Sequence, residues 1–152
     1  MPLVYTLGDE EDKLNANYKL RENIINFNVE DYDSAKTLII DPALIWATYY
    51  GGSGYEEGRS IASDMNGNVF MTGWTGSTNN IATVGSHQTN YIGVDAYLVK
   101  FNNNGVRQWG TYYGGEYSDE GNSVTTDITG NVFIAGTTYS TYNIATPGSH
   151  QD

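Results

Sequence analysis

Short stretches of alternating apolar and polar residues recur along this chain, and none settles into the spacing of an amphipathic helix. The alternation predicts a hairpin from Ser60–Asp64 and Asn68–Thr75, joined through Met65, Asn66 and Gly67. A second hairpin joins Asp95–Asn102 to Gly105–Gly114 through the run "NNNG". Ser123–Asp127 and Asn131–Thr138 repeat the first hairpin. Leu44–Gly51 reads as the closing strand of a unit whose earlier strands are not in this register. Upstream, Ile25, Phe27 and Val29 share one face of a strand, and Thr37–Pro42 reads as another, stopped by Pro42. Two or three strands are expected there. Between the two hairpins, Gly76–Val94 is polar and unpatterned, which predicts a functional loop or a flexible segment.

The pattern repeats because the sequence does. Trp46 and Trp109 open the same phrase, "WATYYGG" and "WGTYYGG", 63 residues apart. That offset also relates Glu57 to Glu120, Asp64 to Asp127, Gly67 to Gly130, and the "GSHQ" at 85–88 to that at 148–151. Over the 44 aligned pairs 26 are identical without a gap, far beyond chance. A repeating unit of four short antiparallel strands predicts an all-β chain of β-propeller blades. The expected organisation is a β-rich segment over 1–42 and propeller repeats over 43–152. Within the latter, 43–51 closes a blade, 58–114 is a full blade, and 121–152 is a partial one. Trp46, Trp109, Gly51, Gly52, Gly114, Gly115, Gly67 and Gly130 are the structural marks of the repeat.

Composition narrows the partners. The chain carries 18 acidic and 7 basic residues, a formal net charge of −11. This argues against nucleic acid, whose backbone demands clustered Lys and Arg. Half of the acids precede residue 46, among them the run Gly8–Lys13, which reads as a solvated loop. No cysteine is present, so disulfides and thiolate metal sites are excluded. No apolar run reaches the length of a membrane helix, and no signal peptide is legible at the N-terminus.

The ordered motifs W-x-T-Y-Y-G-G, D-x-x-G-N-V-F and D-A-Y-L-V-K-F resemble the bacterial SBBP repeat family, from Trp46 to Asp152. The stretch "FNVEDYDSAKTLIIDPALIW" looks like the end of the β-rich domain that often precedes such repeats. The resemblance implies a β-propeller or part of one, within large, secreted or surface-exposed bacterial proteins. It implies no established catalytic residues. A closed propeller needs more blades than the one and a half encoded here.

Several residues could carry chemistry. Asp64–Asn68 and Asp127–Asn131 place oxygens at the alternate positions of a Ca²⁺ loop, but no bidentate Glu follows, and a tight Asx turn explains them more simply. Glu57 and Glu120, each before a Gly and ahead of a strand, are weaker metal candidates beside a structural reading. No cofactor is otherwise expected. Glu56 with Glu57, or Asp119 with Glu120, would be the glycosidase pairs, yet strand neighbours face opposite ways. His87 and His150 lack an acid–base partner at fixed spacing, and Ser86 and Ser149 lie in no nucleophile motif. Tyr49, Tyr50, Tyr112 and Tyr113 sit in expected strands; Tyr91, Tyr139 and Tyr142 fall in polar connections that suit sugar stacking or a protein interface.

The expected function is a non-enzymatic structural or adhesive repeat module of a bacterial extracellular or cell-surface protein. Its incomplete blades predict self-association into a ring or filament, or completion by other blades of a larger polypeptide. A carbohydrate-binding propeller is the alternative, and a propeller hydrolase or lyase the third. Neither nucleic acid nor membrane insertion is expected.

Overall fold

The structure, a computed structural model, describes residues 3–6, 14–21, 24–30, 33–41 and 44–150. The Gly8–Lys13 run and Pro42 lie outside the described residues, as do the side chains of Ile25 and Phe27. The chain divides into two compact units, Met1–Ile45 and Trp46–Asp152. The described residues contain no helix.

In the first unit, β1 (Leu3–Thr6) pairs antiparallel with β4 (Leu38–Asp41). Strand β2 (Ala16–Arg21) pairs antiparallel with β3 (Ile24–Val29). Val4, Thr6 and Ala16 are buried. One strand more is found than the sequence suggested. The run "LVYT" is too short to show a period and declares itself only by pairing with "LIID".

In the second unit, β5 (Glu56–Ser63), β6 (Val69–Thr75), β7 (Asp95–Phe101) and β8 (Arg107–Tyr113) form one antiparallel sheet in chain order. This is a complete four-stranded blade. Strands β9 (Asp119–Thr126) and β10 (Val132–Thr138) form a second hairpin, the first half of the next blade. The β5–β6 turn holds because Asp64 Oδ1 accepts from the backbone N–H of Asn66 and of Asn68. Asn68 Nδ2 donates to Asp64 Oδ2, while Gly67 takes φ +75°. Asp127, Thr129, Asn131 and Gly130 rebuild the same turn.

Both β5 and β9 begin earlier than the sequence pattern suggested. A β-bulge explains this: Arg59 and Asn122, equivalent residues, each fall out of the ladder and break the alternation. Glu57 and Glu120 therefore lie within strands rather than ahead of them.

Met71, on β6, and its cross-strand partner Val99, on β7, share a face. There Ile81, Tyr97, Val99, Phe101 and Tyr112 make the core, with Trp46, Tyr50, Val69 and Met71 packed on it. The opposite face carries Phe70, tilted against Trp109 at 6.2 Å between ring centroids, with Lys100 over its ring. Strand β9 runs beside β5, with Val124 N–H donating to Ser60 Oγ and Thr126 Oγ donating to Ser63 O. Thus the half blade is laid against the full one.

Two expectations need correcting. Leu44–Gly51 forms no ladder, because no described strand lies alongside to pair with it. It lies irregular, with Trp46 and Tyr50 packed into the core and Tyr49 fully exposed. The connection Gly76–Val94 is a strap, not a free loop. Ile81 is fully buried, Thr83 N–H bonds Gly110 O, and Tyr112 N–H bonds Gln88 O. The strap thereby covers the outer edge of β8, where an open strand would invite stray pairing.

Candidate functional site

The sequence phrase shared by both copies builds one joint twice. In the first copy, Glu56 on β5 points back to the Gly-Gly stretch. Its Oε2 accepts from Gly52 N–H at 3.2 Å, and its Oε1 accepts from Thr75 Oγ1 at 2.8 Å and from Ser77 Oγ. Ser77 Oγ in turn accepts from Gly54 N–H. In the second copy, Asp119 Oδ2 accepts from Gly115 N–H and Ser140 Oγ, each at 2.8 Å, and Ser140 Oγ accepts from Tyr117 N–H. Tyr50 donates to Ile81 O at 2.9 Å, and its equivalent Tyr113 donates to Ile144 O. Burial pushes the Tyr50 hydroxyl well above its ordinary pKa, so it stays a donor. Just before each of these isoleucines, Asn80 and Asn143 take φ +66° and +63°, the left-handed kink that turns the strap inward.

The carboxylates that hold the joint are Glu56 and Asp119. The sequence drew attention instead to their neighbours. Glu57 accepts from Arg59 Nε and Trp74 Nε1, and Arg59 also bonds Glu120 and Asn122 of the next hairpin. These bonds hold the Glu57 carboxyl below its usual range, the Arg59 bond foremost. Arg59 is thus a clamp between neighbouring innermost strands. Among the described residues no group of three or more His, Asp or Glu side chains is placed to share a metal ion. Asp64 and Asp127 are bound into their own turns; the turn bonds, that from Asn131 foremost, lower Asp127 to about 2.

A different pair of acids is buried. Asp95, at the start of β7, accepts on Oδ2 from Gln88 Nε2 and Ile92 N–H, both at 3.2 Å. It is fully buried, and Asp119 is 2% exposed. Gly114 lies between them: a Cβ there would sit 2.6 Å from Asp119 Oδ2 and closer still to Asp95 Oδ1. Burial, assisted by the charge of Asp119, lifts the Asp95 carboxyl to about 6.

The half blade leaves a cavity of about 170 Å³, lined among others by Tyr113, Gly121, Ile134, Gly136 and Ile144. Each of these has a counterpart in the first copy: Tyr50, Gly58, Met71, Gly73 and Ile81. There, that place belongs to Tyr97 of β7. Its ring lies 5.3 Å from Tyr50, and its hydroxyl is 3.4 Å from where a Cβ on Gly58 would stand. The cavity lies at the position that Tyr97 fills in the complete blade.

The aromatic candidates separate. Tyr91 is half-buried, its ring edge-on to Tyr112, whereas Tyr139 and Tyr142 are 70% and 73% exposed. His87 stacks on Tyr113, and His150 is exposed. Sequence reasoning missed Asp95, Gln88 and the Asn80/Asn143 pair. The retained acid at 56 and 119 was the available signal for the joint.

Residues 45–81 and 108–144 match the family described as Beta-propeller repeat (SBBP). Residues 1–43 match a Domain of unknown function (DUF7948). No curated protein matches the chain. With one complete antiparallel blade, the first half of another, and the same joint built at both, this chain carries the β-propeller repeats of the SBBP family.

Proposed function

We propose that the chain is a non-enzymatic structural module of a bacterial extracellular or cell-surface protein, built to be completed by further blades of its own kind. The supporting observation is the seat on β10. Where β6 is covered by β7, the equivalent β10 has β9 alone as its ladder partner among the described residues, and a cavity lies where the covering tyrosine would sit. A second copy of the chain is the proposed source of the cover. Ile61 and Phe133 are 68% and 54% exposed. Ile61 shares the face of Met71, whereas Phe133 is the equivalent of Phe70 on the other face. Contact between these unlike surfaces is head-to-tail, and it gives a ring if the rotation closes and a filament if it does not. Light scattering and electron microscopy of the purified chain test this; a compact monomer that persists at high concentration would count against it.

A second reading, carbohydrate binding, draws on Tyr139 and Tyr142, which stand exposed beside Asn143 and Thr141 on one strap. A glycan array with the Tyr142→Ala variant as control tests it. Calcium at Asp64 or Asp127 is not part of either reading, since their turns use the carboxylate oxygens.

A further inference from the structure

The two copies of the joint differ in one chemical respect. Glu56 satisfies both of its oxygens with an amide and two hydroxyls. Asp119 is one methylene shorter and engages through Oδ2, leaving Oδ1 buried without a partner. Thr138, the equivalent of Thr75, has turned to the Ser140 backbone instead. Beside it stands a second buried carboxylate, Asp95, at the start of β7. Asp95 Oδ1 is also without a partner.

Two buried carboxylates therefore flank Gly114: the unsatisfied Asp95 Oδ1 faces it from one side, and from the other Asp119 Oδ2, which also holds Gly115 N–H and Ser140 Oγ. Among the described residues, the ion pairs are those of Arg59 with Glu57 and Glu120, so no Lys or Arg neutralises either Asp. Buried charge of one sign without a partner is costly, and orphaned buried acceptors add to the cost. The absence of a Cβ at Gly114 keeps the space between the carboxylates open, since a methyl there would overlap both.

We propose that Asp95 and Asp119 hold one hard divalent cation, calcium by preference, at the joint between the two hairpin modules. All donors at hand are oxygens, which suits calcium and magnesium over softer metals. Calcium tolerates irregular oxygen geometry where magnesium demands a near-ideal octahedron, which favours calcium. The ion would neutralise the pair and tie the start of β7 to the start of β9. It would thus fix the angle at which one blade follows another. Glu56 needs no such ion, so the site belongs to the second joint.

The test is calcium binding to the full chain after exhaustive chelation, read by titration calorimetry and by terbium luminescence sensitised through nearby tyrosines. The expected result is one saturable site, with a dissociation constant of about 0.1–1 mM, as in extracellular modules. Calcium at a concentration well above that constant raises the melting temperature, and added NaCl of equal ionic strength does not. Asp95→Asn and Asp119→Asn each weaken binding by about tenfold or more, while Asp64→Asn and Asp127→Asn leave it unchanged. Circular dichroism identifies any variant that fails to fold. For such a variant the wild-type stoichiometry and the competition of calcium with terbium carry the test. Absence of saturable calcium and terbium binding by the folded wild-type chain would overturn the proposal. Loss of binding in Asp127→Asn but not Asp95→Asn would overturn it as well.

Discussion

Phe70 and Phe133 are equivalent residues in the words "NVFMTG" and "NVFIAG", yet one is 1% exposed and the other 54%. Val124 and Ile61 show the reverse order: the second-copy residue is 6% exposed and the first-copy residue 68%. Tyr49 and Tyr112 repeat the lesson, wholly exposed against 1%. Local sequence sets which face a residue takes, but burial is set by whether a neighbour exists. Val124 is covered because β9 has β5 beside it, and Ile61 has no blade before it among the described residues. Phe70 is covered because Trp109 and β7 are in place.

This contrast can be broken by mutation. Phe70→Ala should cost about 3–5 kcal/mol, because it opens a cavity in a covered face. Phe133→Ala should cost under about 1 kcal/mol in the dilute chain, because little contact is lost. Urea unfolding followed by tryptophan fluorescence measures both. Equal costs would mean that the second hairpin is already covered in the isolated chain. The contrast is sharpened by the strap anchor, which both copies make through Tyr50 and Tyr113. Tyr50→Phe and Tyr113→Phe should each cost about 1–2 kcal/mol, alike, since each leaves a strap carbonyl without its donor.

A smaller effect distinguishes the copies by pH. The Asp95 carboxyl, held at about 6 in the folded chain, binds its proton more tightly than in the unfolded chain. In calcium-free buffer the melting temperature should therefore rise as pH falls from about 7 to about 5, where the folded state takes up the extra proton. Glu57, Asp64 and Asp127 are shifted the other way and lose their contribution only at more acid pH. Asp95→Asn should flatten the slope. The least effect is expected at the clamp: the loss of stability in Arg59→Ala should be the smallest of the set and shrink with salt, because the pair is solvent-screened.

The blade was legible in the sequence because its strands are short, alternate cleanly and recur. The 63-residue offset placed both turns and the Gly-Gly joint before any coordinates. What escaped was set by partners rather than pattern. Leu44–Gly51 shares its Trp, Thr and paired Tyr with β8, but a strand exists only where another strand bonds to it. The strap over Gly76–Val94 is polar because its backbone bonds the edge of β8, with Ile81 as its buried apolar anchor. Glu57 and Glu120 drew attention by adjacency to Gly. The bulge at Arg59 and Asn122, invisible to a period-two reading, gave the structural role to Glu56 and Asp119. Asp95 could not be found by comparing copies, since only one copy has it.

The central claim is that β10 is an open strand waiting for the cover that β7 gives β6. Amide hydrogen exchange at rising protein concentration tests it most directly. The β6 amides should be protected at every concentration. The outward-facing β10 amides, those not bonded to β9, should exchange fast in dilute solution and become protected as copies assemble, and Phe133→Glu should abolish that gain. Protection of β10 equal to that of β6 in the monomer, or fast exchange that ignores concentration, would contradict the account.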